Sequence, residues 1–147
     1  MVTIARKTRQ IKTLRASFLA FLATAIKEKE HDYVTLLRSN LIEGFASNSR
    51  IGIYKSRRYA EKKYKLSQRA GFGNVDLRLT GAFYAALRIT IRKETFLVDS
   101  SDKKSDILEG RYGKSIFILS DEGHRKFIRL AFRAFKERAI PTINRVE

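Results

Sequence analysis

Apolar residues recur at three- and four-residue steps near both ends of this chain, and at two-residue steps once between them. The two periods belong to different backbones. A helix brings a side chain back to the same face after about 3.6 residues, a strand after every second one. The pattern therefore predicts an α+β fold: N-terminal helices, a small antiparallel β-sheet built on a hairpin, and a C-terminal helix.

The first helical segment covers residues 3–28. Ile11, Leu14, Phe18, Leu22 and Ala25 form its stripe, widened by Phe21 and Ile26. Every charged residue before Glu28 is positive (Arg6, Lys7, Arg9, Lys12, Arg15, Lys27), so the first turns read as a cationic arm and the second half as a core or interface segment. Beyond a charged break at 27–30, Asp32 can cap a second helix running to about Asn48, with Val34, Leu37, Leu41 and Phe45 at helical spacing. Two antiparallel helices joined by a short turn are the simplest reading, and one long bent helix is the alternative.

Residues 50–69 change character. Arg50, Lys55, Arg57, Arg58, Lys62, Lys63, Lys65 and Arg69 face a single acid, Glu61, with Tyr54, Tyr59 and Tyr64 interleaved. Poor periodicity predicts an extended loop with a helical turn around Arg57–Lys65, followed by a flexible Gly-containing turn at 70–74. Thr80 can cap a short helix whose first position is Gly81. Leu87, Ile89 and Ile91 alternate with Arg88, Thr90 and Arg92, the mark of a half-buried strand. A turn at Lys93-Glu94 leads to Phe96 and Val98 on its hairpin partner. Ser101 can cap a short helix over 102–112 that ends at Gly113. Ile116 to Leu119 reads as a third strand or a buried connection. Ser120 caps a last helix with Asp121 and Glu122 in its first turn, where carboxylates meet the positive helix end. Ile128, Ala131, Phe132, Phe135 and Ala139 line its face, and Pro141 stops it. One domain, 1–147, is expected, with a helical part (1–48), a basic loop (50–74) and an α+β core (75–140).

Charge sets the function classes. Lys and Arg number 31 against 15 Asp and Glu, a formal charge of +16. A compact fold with that surplus repels itself. A polyanion or acidic protein neighbours would relieve it, nucleic acid being the commonest such partner, with a membrane surface as another. The absence of cysteine excludes disulfides and Cys-ligated metal sites. The longest apolar stretch, Ala16 to Ile26, is too short to span a bilayer. A basic N-terminus before an apolar stretch has the outline of a signal peptide. However, Ala23-Thr24-Ala25 sits inside a continuing helical pattern, so the chain is expected in the cytoplasm after synthesis.

Catalytic constellations are sparse. His31 and His124 lie far apart, no triad context surrounds either, and Gly71-Phe72-Gly73 lacks the third glycine and the preceding strand of a dinucleotide fingerprint. Asp99, Asp102, Asp106 and Glu109 invite a metal or acid–base reading, since the last three fall at helical steps of four and three. Lys103 and Lys104 stand beside them and no histidine is near, so a face that pairs with basic residues of a neighbour is the stronger reading. No enzyme and no cofactor are expected. The tyrosine-bearing basic segment can contact nucleic acid without regard to sequence, or dock on an acidic neighbour.

From residue 75 onward the chain resembles the small tail-completion, neck and virion-morphogenesis proteins of tailed phages, the head–tail connector type. Asp76-Leu77-Arg78-Leu79-Thr80-Gly81-Ala82-Phe83-Tyr84-Ala85-Ala86-Leu87 is similar to their Thr-Gly element entering a β-hairpin. Tyr112-Gly113 and Ile116-Phe117-Ile118-Leu119-Ser120 resemble their "Tyr-Gly … Phe-Leu-Gly-Leu-Ser" segment before the last helix, with Ile118 where a glycine is often seen. The motif positions are Leu79, Thr80, Gly81, Phe83, Leu87, Tyr112, Gly113, Phe117, Leu119 and Ser120. The first 70 residues match only in being helical and basic. The resemblance implies a homo-oligomeric ring between capsid portal and tail. It would line or surround the DNA conduit, touch portal or adaptor and tail proteins and the double-stranded DNA passing through, and avoid membranes. Its place would be the virion, after host cytoplasm. In such a ring the acidic stretch 99–109 and the basic stretch 50–69 are candidates for a head-to-tail contact. The alternatives are a sequence-independent nucleic-acid-binding accessory protein and a metal-dependent nuclease using Asp102, Asp106 and Glu109.

Overall fold

The computed structural model describes residues 4–143 except Leu79 and Glu94; the side chains of 5–7, 10, 142 and 143 also lie outside the description. The fold is α+β. Helix α1 (Ile4–Glu28) runs into α2 (Glu30–Ile42) with only Lys29 between them. Lys29 keeps near-helical dihedrals (φ −93°, ψ 12°), and its N–H reaches both Ala25 O and Ile26 O at 3.2 Å. The chain is therefore one bent helix and not an antiparallel pair. Asp32 sits inside the first turn of α2 instead of capping it. The helix stops at Ile42, short of Asn48, because Gly44 takes a left-handed φ of 83° and turns the chain into a miniature hairpin. That hairpin pairs β1 (Phe45–Ala46) with β2 (Ser49–Arg50).

Strands β3 (Leu87–Arg92) and β4 (Thr95–Ser100) form the expected antiparallel hairpin, registered from Leu87↔Ser100 to Arg92↔Thr95. The other edge of β3 meets the α1–α2 bend. Lys27 Nζ donates to Ile89 O at 2.8 Å, and Ile89 N–H donates to Glu30 Oε1 at 2.5 Å, while the two side chains pair at 2.7 Å. An ion pair thus occupies backbone groups that a third strand would need. Accordingly, Ile116 and Phe117 lie in a 3₁₀ turn (Lys114–Phe117), a buried connection and not a strand.

Short helices fill the middle. Helix α3 (Arg57–Leu66) extends the helical turn expected around Arg57–Lys65 into a full helix, with Ser56 Oγ accepting Tyr59 N–H at its start. Helix α4 (Ala82–Ala85) starts one residue later than expected: Gly81, φ 86°, is its cap, and Thr80 Oγ1 accepts Ala82 N–H at 3.3 Å. Helix α5 (Ser105–Tyr112) begins three residues late, because Asp102 Oδ1 accepts Lys104 N–H at 2.8 Å and holds a turn before it; Gly113 ends it. Helix α6 (Asp121–Ile143) is capped by Ser120, whose Oγ accepts Gly123 N–H at 3.2 Å, and by Asn48, whose Oδ1 accepts Asp121 N–H at 3.0 Å. It runs through Pro141, where it was expected to stop, to Ile143.

The core joins Tyr33, Val34, Leu37 and Leu41 of α2 to Leu87 and Ile89 of β3, Phe83 and Tyr84 of α4, Ile116, Leu119 and Phe127. A second cluster sets Phe21, Leu22 and Ala25 of α1 against Ala134, Phe135 and Ala139 of α6. The buried face of α6 is Phe127, Ala131, Ala134, Phe135 and Ala139, while Ile128 and Phe132 point outward. Small alanines let α1 approach, which rotates the face away from the one periodicity suggested.

The buried hydroxyls make the fold alkali-sensitive. Tyr33 Oη donates to Phe117 O at 3.1 Å, and burial pushes its ionisation up from 10 to about 12. Burial, reinforced by the Asp76 carboxylate, raises Tyr54 and Tyr84 as well. A group with a raised folded pKa contributes stability that is complete below the unfolded value and fades as pH climbs through the folded one. Urea unfolding should therefore show a fall beginning near pH 10, on the order of 2–3 kcal/mol for Tyr33 alone by pH 12. Tyr33→Phe should make the fall shallower by that amount, the remainder belonging to Tyr54 and Tyr84.

Candidate interaction groove

The groove is built on a buried ion pair. Helix α3 turns Ala60 and Lys63 inward, and the Lys63 side chain reaches Asp76 at 2.7 Å with both residues under 5% exposed (4% and 2%). Asp76 Oδ1 also accepts Tyr54 Oη–H at 3.0 Å and Arg78 N–H at 3.1 Å, and Tyr84 Oη donates to its backbone carbonyl. Asp76 so ties α3, the segment before it and the stretch at 75–78 through its carboxylate, and α4 through its backbone carbonyl. Charges this deep are tolerated when paired and hydrogen-bonded, as these are.

Above this pair opens a groove of about 1350 Å³. Ile51, Ile53, Tyr54, Lys55 and Tyr59 line it, together with Ser101 through Lys104, Ile107, Leu108, Arg111 and Tyr112. Val75, Leu77, Arg78 and Phe83 complete the lining. Tyr54 and Tyr59 meet edge to face at 5.0 Å. The turn below, at 70–74, is tied down: Ala70 O accepts Asn74 Nδ2 at 2.7 Å and Arg50 Nη1 at 3.2 Å.

The basic residues of 50–69 separate into distinct roles. Lys55 lines the groove. Lys63 is buried and neutralised, so it offers nothing to DNA or a neighbour; the buried position comes from its place three residues after Ala60 on the inner face of α3. Arg50 lies over the Phe45 ring at 4.3 Å and donates to Glu43 O at 3.0 Å, a clasp on the small hairpin. Arg57 pairs with Glu61 at 3.2 Å. Arg58, Lys62 and Lys65 fall four and three apart on the outer face of α3, all exposed, and Arg69 is exposed beyond it.

The acidic stretch does not form one face. Asp99 pairs with Arg88 across the hairpin at 2.8 Å, and Asp102 precedes α5. Only Asp106 and Glu109 ride on the helix, and they do not line the groove. The stretches 50–69 and 99–109 both contribute to the lining of one groove in one chain. Among the described residues no three His, Asp or Glu side chains are grouped to hold a metal ion, and no helix is long and apolar enough to cross a membrane.

The motif positions have structural roles. Thr80 and Gly81 start α4, Phe83 and Leu87 enter the core, Tyr112 and Gly113 end α5, Phe117 and Leu119 are buried, and Ser120 caps α6. Leu79 lies outside the described residues. Sequence reasoning missed Asp76 as the partner of Lys63, and Arg78, Lys103, Lys104 and Arg111 as groove cations. The one local signal was Ser56 three residues before Tyr59, a capping spacing that announces α3. Neither family models, nor curated proteins, nor solved structures match this chain.

Proposed function

We propose that this chain is a structural subunit of the phage neck or tail connector type. It works by contact, in a ring between portal and tail that lines or surrounds the DNA path. One observation carries the reading. The apolar stripe of α1 is covered by α6 from Phe21 to Ala25, yet its continuation toward the N-terminus, Ile4, Ile11, Leu14 and Phe18, is exposed. An amphipathic helix covered over half its length calls for a neighbour to cover the remainder. Arg9, Lys12 and Arg15 accompany that exposed half, and no acid occupies the first turn. Like charges three residues apart on one helix repel each other and favour an acidic neighbour.

A second reading, sequence-independent nucleic-acid binding, draws on the outer face of α3, where Arg58, Lys62 and Lys65 line up. Negative-stain microscopy and sedimentation of the purified chain, alone and with portal complexes, together with mass spectrometry of purified virions, test both. The connector reading expects a defined ring, formed alone or on a portal, and the chain inside particles. A strict monomer missing from particles overturns it. Salt-sensitive duplex binding by that monomer, weakened by Arg58→Glu with Lys62→Glu, would install the second reading.

A further inference from the structure

We propose that the groove above the Lys63–Asp76 pair takes an acidic, apolar-anchored extended segment of a partner protein. This deepens the connector reading by naming a partner segment, and the two fail separately, since rings are read by microscopy and groove occupancy by peptide binding.

Charge complementarity names the occupant. Lys55, Arg78, Lys103, Lys104 and Arg111 line the groove and are all exposed. Among the described lining residues, Asp102 is the single carboxylate, and its Oδ1 already accepts Lys104 N–H. The one carboxylate beneath, Asp76, is matched by Lys63 at 2.7 Å. The groove therefore holds a positive surplus that its own chain does not balance, in a concave site where field lines concentrate.

Shape and chemistry then favour a peptide over a nucleic-acid strand. The apolar part of the lining is largely aliphatic: it includes Val75 and Leu77, with Ile53 and Ile107 standing 76% and 64% exposed. Apolar side chains of a ligand would cover those two residues. Nucleobases want free aromatic faces, whereas Tyr54 and Tyr59 already engage each other and Tyr54 Oη is committed to Asp76. The partner segment is therefore one with a large apolar residue flanked by Asp or Glu, its carboxylates reaching Lys103, Lys104 and Arg111.

The test selects binders from a random dodecapeptide library on the full chain, then measures one synthesised winner by fluorescence anisotropy. Winners should carry Asp or Glu on both sides of a large apolar residue. Lys103→Glu with Arg111→Glu should weaken the winner by about a hundredfold or more, given a charge-assisted contact at each position. The milder Lys103→Gln with Arg111→Gln should weaken it in the same direction, and Arg58→Glu with Lys62→Glu, outside the groove, should leave it unchanged. Winners without acidic bias, or equal binding by the groove variants while their thermal midpoints match the parent, overturn the proposal. So does an oligothymidine that binds more tightly than the winner and is lost in the same groove variants, which would hand the groove to nucleic acid.

Discussion

Asp76→Leu is expected to lower the free energy of unfolding by about 3–5 kcal/mol, the largest effect of any single change outside the apolar core. It strands the Lys63 ammonium, 4% exposed, with no countercharge. It also removes the acceptor for Tyr54 Oη–H and Arg78 N–H, at 3.0 and 3.1 Å. Lys63→Met should cost less, because the carboxylate keeps those two donors. The double variant Lys63→Met with Asp76→Leu should recover part of the loss, since a buried pair replaced by apolar groups of similar size is often near neutral. Urea unfolding of the four proteins forms a double-mutant cycle, and a coupling below about 0.5 kcal/mol would show that the pair does not hold α3 in place. The same cycle reports on function. Because Asp76 fastens α3 against the stretch at 75–78, loosening it displaces the part of the groove lining that Tyr59, Val75, Leu77 and Arg78 supply, and peptide affinity should fall along with stability.

That pair also explains where the sequence was legible and where it was not. The alternation from Leu87 to Arg92 predicts a strand because one face of the hairpin packs on α2 and the other meets solvent, so periodicity records burial directly. Helix α3 left no such record. Its inner face is an alanine and a lysine, Ala60 and Lys63, and a lysine reads as surface until its carboxylate partner is known. The face of α6 was misjudged for the opposite reason. Phe127, Ile128, Phe132 and Phe135 surround the helix with apolar groups, and only the approach of α1 onto Ala134 and Ala139 decides which are covered. The groove was illegible because its cations sit at 55, 78, 103, 104 and 111, in segments that only the tertiary fold brings together. Conversely, the caps at Ser120 and Gly113 were readable, since capping depends on three or four consecutive residues.

Ile11→Glu combined with Leu14→Glu should leave the monomer's stability within about 0.5 kcal/mol of the parent, since both side chains are exposed, and should abolish assembly. The asymmetry is what makes the pair informative. Each residue, if covered by a neighbour, contributes about 1.5–3 kcal/mol of apolar burial. Losing both weakens association by roughly a hundredfold to ten-thousandfold before the cost of burying carboxylates is counted. Phe18 is a poorer choice, because its ring meets Phe135 at 4.9 Å and its removal would disturb the α1–α6 contact inside the chain. Arg9→Glu with Lys12→Glu separates charge from apolar cover. Both side chains are exposed, so the change should leave monomer stability within about 0.5 kcal/mol, while repelling an acidic neighbour. Sedimentation velocity and microscopy on these variants therefore divide the outcomes cleanly. If the Ile11 and Leu14 pair still forms rings, the exposed stripe is not the contact surface. If only the arginine–lysine pair fails, the neighbour is held by its carboxylates and the apolar stripe merely rests against it.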